Sequence, residues 1–265
     1  MYLSQIWIYP VKSMSGISVY EAEVRERGLN GDRFAMVVDE TGKFITQREF
    51  PELALIGTQL IASGLRLYDR KGRWDELIIA IDSESPILSV DVKIWNDQVM
   101  ARTVGQEADD WLSRCLGKSV RLVIMNDTSP RILKLADQGH HIEVSFADEF
   151  PYLLTSMASL ESLNRKLAAP VDMRHFRPNL VIAGSSAFEE DSWKMIQIGT
   201  IRFKICKPCE RCMVVNVDPD EGVRKREPLK TLASFRKRSG GILFGQDLVA
   251  LESGVIRVGE EVVLL

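Results

Sequence analysis

The chain has 265 residues, with 34 Lys and Arg against 37 Asp and Glu, and a formal charge of −3. Such a length fits one large domain or two modest ones. Hydrophobic content of 45% with 27% charged residues excludes a wholly disordered chain. The balanced charge gives no reason to expect a nucleic-acid binder, and no apolar run is long enough for a membrane-spanning helix. Met1 to Trp7 lacks the layout of a signal peptide. Three of four cysteines crowd into residues 206–212, unlike the spacing of a disulfide-stapled secreted protein, so a reducing cytoplasm is the expected compartment.

The first ninety residues read as short strands. Gln5 to Val11 and Ser18 to Arg25 are β-prone, and Phe34 to Val38 is a strongly apolar run. Asp39-Glu40-Thr41-Gly42 and Asp69-Arg70-Lys71-Gly72 read as turns, with further strands at 65–68 and 74–81. Many short strands with glycine turns predict a barrel or sandwich rather than alternating strand–helix units. Glu107 to Cys115 is the first helix, with Ala108, Trp111, Leu112 and Cys115 at helical spacing and Gly117 ending the run.

Val120 to Met125 is a strand, and 130–142 reads as loop or short helix. Met157 to Leu167 is the best helix, with Leu160, Leu163 and Leu167 on one face and Ser156 placed to cap it. Leu180 to Ala183 is a strand, and Trp193 to Cys206 forms two alternating arms about Gly199. Pro228 is expected at the first position of a helix through Leu229, Leu232 and Phe235. Val255 to Leu265 reads as a strand pair about Gly259. The fold expected is mainly β with peripheral helices, in two parts spanning 1–95 and 96–265.

Cys206-Lys207-Pro208-Cys209-Glu210-Arg211-Cys212 is the sharpest local feature, because thiolates are soft ligands and good nucleophiles and the adjacent cations favour ionisation. Three readings compete. A closed zinc or iron–sulfur site needs a fourth ligand where Asn216 stands. A Cys209–Cys212 redox dithiol normally opens a helix, whereas this one runs into Val214, Val215 and Val217. The third reading is one exposed thiolate holding a metal carried by an organic cofactor.

Elsewhere, the loop with Lys12, Ser13, Ser15 and Gly16 can offer an ammonium and backbone N–H groups to a phosphate, though most such loops are solvent turns. Arg33, between an aspartate and an apolar strand, suits an ion pair or an anion site equally. Thr155-Ser156 before a helix, with Arg174, His175, Arg177 and Asn179 ahead of a strand, can seat an anionic cofactor. His175 reads as structural, and adjacent His140 and His141 would face opposite ways in a strand, a poor metal clamp.

Taken in order, Trp7-Ile8-Tyr9-Pro10-Val11-Lys12-Ser13, Gly31-Asp32-Arg33-Phe34, Phe176-Arg177-Pro178-Asn179, Cys209-Glu210-Arg211-Cys212 running to Val217-Asp218-Pro219-Asp220, and Leu243-Phe244-Gly245-Gln246 resemble the MOSC family. The resemblance is to its two-part members, bacterial relatives of the mitochondrial amidoxime-reducing component, and implies an N-terminal MOSC β-barrel domain packed on a MOSC β-barrel domain. It implies a molybdenum cofactor (Mo-molybdopterin), with Cys212 as the protein ligand to the metal. It places Lys12, Ser13, Arg33, Thr155, Ser156, Arg177 and Asn179 at the cofactor, and leaves Cys206 a structural or incidental role. The activity implied is reductive removal of oxygen from N-hydroxylated substrates such as amidoximes, hydroxylamines and N-hydroxylated bases. A cofactor carrier or sulfuration-related protein is the alternative.

Asp218 is the residue to test for proton handling or loop ordering, with a turn aspartate as its plainer role. The chain stops at Leu265 without a ferredoxin domain or membrane anchor, so electrons are expected from a separate ferredoxin-like or flavin-reductase partner.

Overall fold

The computed structural model describes residues 1–81, 88–126, 128–134, 141–238 and 240–265. Its described residues are mainly strand, with three α-helices, as the composition of turns and short apolar runs leads one to expect.

In the first half, Ala35–Val38 pairs with Arg121–Met125, which continues through Asp97–Thr103 to Ser89–Ile94, all antiparallel. A second sheet joins Ile56–Ile61, Gly64–Asp69 and Leu77–Ala80. Helix α1 (Gln106–Leu116) buries Ala108, Trp111 and Leu112 in a core with Leu65, Leu67, Leu77, Leu122 and Ile124. It stops at Gly117, whose φ of 62° suits a residue without a side chain. The expected division at 95/96 falls inside the turn between two paired strands, Ser89–Ile94 and Asp97–Thr103. Strand pairing instead keeps α1 and Arg121–Met125 with the first half.

The second half is built on one large sheet, and the chain's opening strand belongs to it. In spatial order the strands are Ile17–Val19, Tyr2–Ile8, Leu180–Ala183, Tyr152–Ser156, Gly241–Ala250, Ile201–Glu210, Met195–Ile198 and Val262–Leu264. Only Tyr152–Ser156 and Leu180–Ala183 run parallel, and helix α2 (Met157–Asn164) lies on the crossover between them. Glu21–Arg25 pairs with Gly254–Arg257. Chain start and chain end are thus stitched together, so the halves share a boundary rather than a linker. Helix α3 (Leu229–Arg236) and α2 cover a cluster holding Leu160, Leu163, Phe176, Val215, Leu232 and Phe244.

Four local expectations change. Residues 131–134 and 141–144, read as loop or short helix, are antiparallel strands, because pairing outside the local window decides them. His141 is exposed on the second strand, while His140 lies outside the described residues. Ser156 occupies the cap position of α2, but its hydroxyl is 2.9 Å from Ser185 Oγ and caps nothing. Pro228 stands at the cap of α3, one place before the expected position. Gly241–Ala250, one of the longest strands, was visible in the sequence only as a motif. Six consecutive residues from Phe244 to Val249 are buried, so no polar–apolar alternation marks it.

Candidate functional site

Between the halves lies a cavity of about 570 Å³. Its wall includes the cations Lys12, Arg33, Arg48, Arg131, Arg177, Lys207 and Arg211, contributed by both halves, and the acids Asp97, Asp148, Glu149, Glu210 and Asp247. Four of its lining residues, Ser13, Arg33, Trp95 and Arg177, hold φ between 48° and 68°. Left-handed backbone at non-glycine positions costs energy and persists where the surroundings demand it.

Lys12 and Ser13 sit on the loop that leaves Tyr2–Ile8. The Lys12 ammonium donates to Phe146 O (2.8 Å) and to Asp148 Oδ1 (2.5 Å). Burial pulls its pKa down to about 8, against the pull of Asp148. Burial alone would raise the Asp148 carboxyl, but Lys12, with Arg48 and Arg33 behind it, holds it below the usual carboxylate range. Buried Arg131 donates to Asp97 Oδ2 (2.6 Å), Ala147 O (2.5 Å) and Asp148 O (3.2 Å), bracing the loop that presents Asp148.

Arg33 and Arg177 both lie over the buried Tyr9 ring, with guanidinium carbons 4.7 and 4.3 Å from its centre. Arg33 also donates to Asp32 Oδ2 (2.5 Å), Asn179 Oδ1 (3.2 Å) and Arg177 O (3.0 Å). Arg177 Nη1 donates to Met14 O (2.7 Å), while its buried Nη2 has no partner among the described residues. Burial, aided by Arg33, lowers the Arg177 pKa to about 10. Asn179 ties three segments: it accepts from Leu153 N (3.2 Å) and donates to Trp7 O (3.2 Å) as well as meeting Arg33. Lys12, Ser13, Arg33, Arg177 and Asn179 therefore converge on one cavity.

The cysteines point to different surroundings. Cys206 packs beside Ile142, Val144 and Val249, and burial raises its thiol to about 11. Cys209 lines the cavity and receives Arg211 Nη1 at 2.9 Å, yet burial pushes it up to about 12. Cys212 also lines the cavity and is exposed. Its sulfur lies 3.3 Å from Arg48 Nη2. Among the described residues no three His, Cys, Asp or Glu side chains converge as a metal cluster. That arrangement leaves Cys212 as the open thiol of the three.

Three expected site residues lie elsewhere. Thr155 and Ser156 are wholly buried and off the cavity wall, the Thr155 hydroxyl 3.2 Å from Met173 Sδ. Their strand is paired on both edges, with Leu180–Ala183 and Gly241–Ala250, and both side chains are fully buried at its end. Asp218 is also off the wall. Its carboxylate accepts from Asp220 N, Glu221 N and Lys225 Nζ, which orders its own turn. His175 Nδ1 meets Val215 O at 2.8 Å, a structural contact.

The family comparison bears on the whole chain. The MOSC N-terminal beta barrel domain matches residues 1–119 and the MOSC domain matches residues 141–263. The chain belongs to the MOSC family. A mitochondrial amidoxime-reducing component 1 from Mus musculus is 36% identical, covering 99% of this chain and 82% of the relative. A mitochondrial amidoxime reducing component 2 from Homo sapiens is 36% identical over 88% of this chain and 72% of the relative. A molybdenum cofactor sulfurase from Oryza sativa subsp. japonica is 33% identical over 92% of this chain, which spans 32% of that longer protein. The crystal structure of the YUAD protein from Bacillus subtilis aligns over 98% of this chain at a TM-score of 0.43 and 9% identity. No helix among the described residues of this MOSC protein is long and apolar enough to cross a membrane.

Sequence reading missed Arg48, Trp95, Arg131, Asp148 and Asp247 on the MOSC cavity wall. Arg48 stacks over Trp95, 4.7 Å from its ring centre, and Trp95 Nε1 donates to Asp148 Oδ1 at 3.3 Å. Asp247 follows the Leu243-Phe244-Gly245-Gln246 motif directly, the nearest signal available. Burial raises its carboxyl to about 7, against the pull of Arg211 and Lys207.

Proposed function

We propose that this MOSC protein is a molybdenum-cofactor-dependent reductase that removes oxygen from N-hydroxylated compounds, with the cofactor in the cavity between the halves. One observation carries the reading. The exposed Cys212 thiol opens on a cavity lined, among the described residues, by seven cations, where Arg177 Nη2 and Arg211 Nε are buried donors without partners among those residues. Buried unpaired donors are costly, and an anionic pterin phosphate supplies what they lack. The donor set therefore fits the group: one soft sulfur for the metal, with cationic side chains for the phosphate.

In this reading Cys212 is the metal's protein ligand. Lys12, Ser13, Arg177 and Arg211 hold the anionic part of the cofactor, while Arg33 and Asn179 set the position of Arg177 and the strand ends. When bound, the cofactor supplies the two-electron redox centre. The chain's own contribution is placement and protons. Asp247, buried on the wall, keeps its carboxyl proton close to neutral pH and is the acid proposed to hand it inward. Asp218 orders the turn after the cysteine loop and stays outside the chemistry. The Arg48 guanidinium stands beside the cysteine sulfur and, lying over the Trp95 ring, offers a surface at which a planar amidoxime can lie.

The named relatives support the reductase over a cofactor carrier, since an amidoxime-reducing component matches across 99% of this chain. Protein purified from molybdate-fed cells is expected to carry molybdenum and, after oxidation, pterin fluorescence. It should convert benzamidoxime to benzamidine with an artificial electron donor, and Cys212→Ala should lose both metal and turnover. A loaded protein inert toward a panel of N-hydroxylated compounds would favour the carrier. Absence of the cofactor would remove both readings.

A further inference from the structure

Seven cations and one carboxylate, Glu227, fall between residues 224 and 238, in a chain whose formal charge is −3. Some are taken up locally. Arg236 is buried against Asp191 (2.7 Å), Lys225 pairs with Asp218 (2.5 Å), and Arg224 donates to the carbonyl of Arg48. Arg226, Lys237 and Arg238 are exposed, with no acidic partner among the described residues. Glu227 accepts from Thr231 N at 2.9 Å and does not neutralise them.

The fold sets these charges on two sides of the cysteine loop. On one side Arg224 bridges to Val217, and Lys225 N donates to Asn216 O (2.8 Å), so residues 224–226 run beside the turn that begins at Cys212. On the other, Lys237 and Arg238 pair with Ile242 and Gly241, and Ile242 O accepts Arg211 N at 2.7 Å. Glu210 is the exposed acid next to that hairpin. Two apolar side chains are open in the same region: Met213, directly after Cys212, is 42% exposed, and Val223, directly before Arg224, is 48% exposed.

We propose that this basic rim, with Met213 and Val223 among its charges, is the docking surface for a small acidic electron-transfer protein. The proposal rests on the reductase reading. Reduction of an amidoxime consumes two electrons and two protons and yields an amidine and water. A one-electron donor must therefore dock twice per turnover, each docking leaving the donor oxidised by one electron, with the protons drawn from solvent. Repeated short encounters call for a modest, charge-steered surface rather than a large apolar one. The rim flanks the backbone of the cysteine loop on two sides, the region a donor's redox group has to approach. Its charge is confined and broken by Glu210 and by apolar side chains, a pattern suited to a protein face and unlike the long cationic track that nucleic acid requires.

The test uses the molybdenum-loaded full chain, reduced methyl viologen as the small donor, and a reduced plant-type [2Fe–2S] ferredoxin as the acidic protein donor. Arg226→Glu, Arg238→Glu and the double variant are compared with the parent. The double variant should raise the KM for ferredoxin about tenfold or more and flatten its dependence on NaCl, while viologen-driven kcat stays unchanged. Calorimetric titration with oxidised ferredoxin should show the same weakening. Arg226→Gln with Arg238→Gln should fall between, and serves in place of the reversal if that fails to fold. An unchanged ferredoxin KM and salt slope would overturn the proposal. So would charge reversal that abolishes binding to phosphatidylserine vesicles or to an oligonucleotide but spares ferredoxin. Loaded protein with no viologen-driven turnover would refute the reductase reading instead, and the calorimetry would still decide whether the rim binds the acidic protein.

Discussion

Arg48 reaches out of the first half of the chain to place its Nη2 3.3 Å from the sulfur of Cys212 in the second. The same guanidinium stacks on Trp95 and stands 3.7 Å from Asp148 Oδ2. The cysteine is thereby attached to both halves by one partly exposed side chain. Arg48→Ala should leave folding stability within about 1 kcal/mol, since partly exposed ion pairs contribute little, yet lower the molybdenum retained per chain. Arg48→Lys restores charge without the flat stacking face and should recover only part. Metal analysis beside thermal melts checks this, and full retention in Arg48→Ala would remove Arg48 from the site.

Asp247 makes a prediction with a definite sign. Its folded pKa, about 7, stands above the ordinary carboxylate value. Between those values the folded state keeps a proton that the unfolded state has released, so this group lowers stability as pH rises toward 7. Asp247→Asn removes the effect. The variant should match the parent near pH 4 and exceed it by about 2–4 kcal/mol at pH 8. Urea melts at several pH values measure the gap. A gap that stays constant with pH would show that the carboxyl is not held protonated. In the reductase reading the same variant should slow turnover.

Asp220 clamps the halves. It pairs with Arg70 (2.7 Å) from the first half and Arg174 (2.6 Å) from the second, and these hydrogen bonds hold its carboxyl below the usual range. A depressed carboxyl adds stability above its unfolded pKa and loses it as pH falls through the folded one. Asp220→Asn should cost about 1 kcal/mol at neutral pH, a figure discounted because the side chain is 50% exposed. The cost should shrink at high salt. Urea melts with and without NaCl test it, and a loss indifferent to salt would point to packing instead.

Gly245 has φ +83°, and a Cβ there would come within 2.5 Å of Leu154 O and 2.9 Å of Thr155 Cγ2. Both the conformation and the backbone contact oppose a side chain. Gly245→Ala is expected to destabilise by more than about 2 kcal/mol. Since Gly245 immediately precedes the Gln246 and Asp247 pairings with Leu154 and Leu153, the variant should also disturb the cavity wall. A melt equal to the parent's would contradict the close approach.

The local elements were legible where the signal is local. Gly42, Gly72 and Gly117 all take positive φ at the ends expected of them, because glycine bears that conformation without steric cost. The apolar stripe of α1 was equally plain, since Ala108, Trp111 and Leu112 recur at the helical period. The stretch 130–142, read as loop or short helix, contributes residues 131–134 and 141–142 to a strand pair, because such a pair shows itself only once its partner is present. Thr155 and Ser156 are buried off the cavity wall, a placement the sequence does not show, because a polar pair ahead of a helix looks the same whether it faces a cavity or a sealed interior.

The sequence by itself determined the kind of chain this is: the cysteine loop, the Lys12-Ser13 loop and the Arg177-Pro178-Asn179 segment stand in an order that specifies the family. Tertiary structure alone decided which of those residues meet. Tyr9 meets both Arg33 and Arg177 because Tyr2–Ile8 crosses to pair with Leu180–Ala183, and no window of sequence contains that pairing. Burial then separates chemically identical groups, raising Cys206 and Cys209 while Cys212 stays open to the cavity. Motif spacing is a property of neighbours along the chain, whereas desolvation and charge pairing belong to neighbours in space.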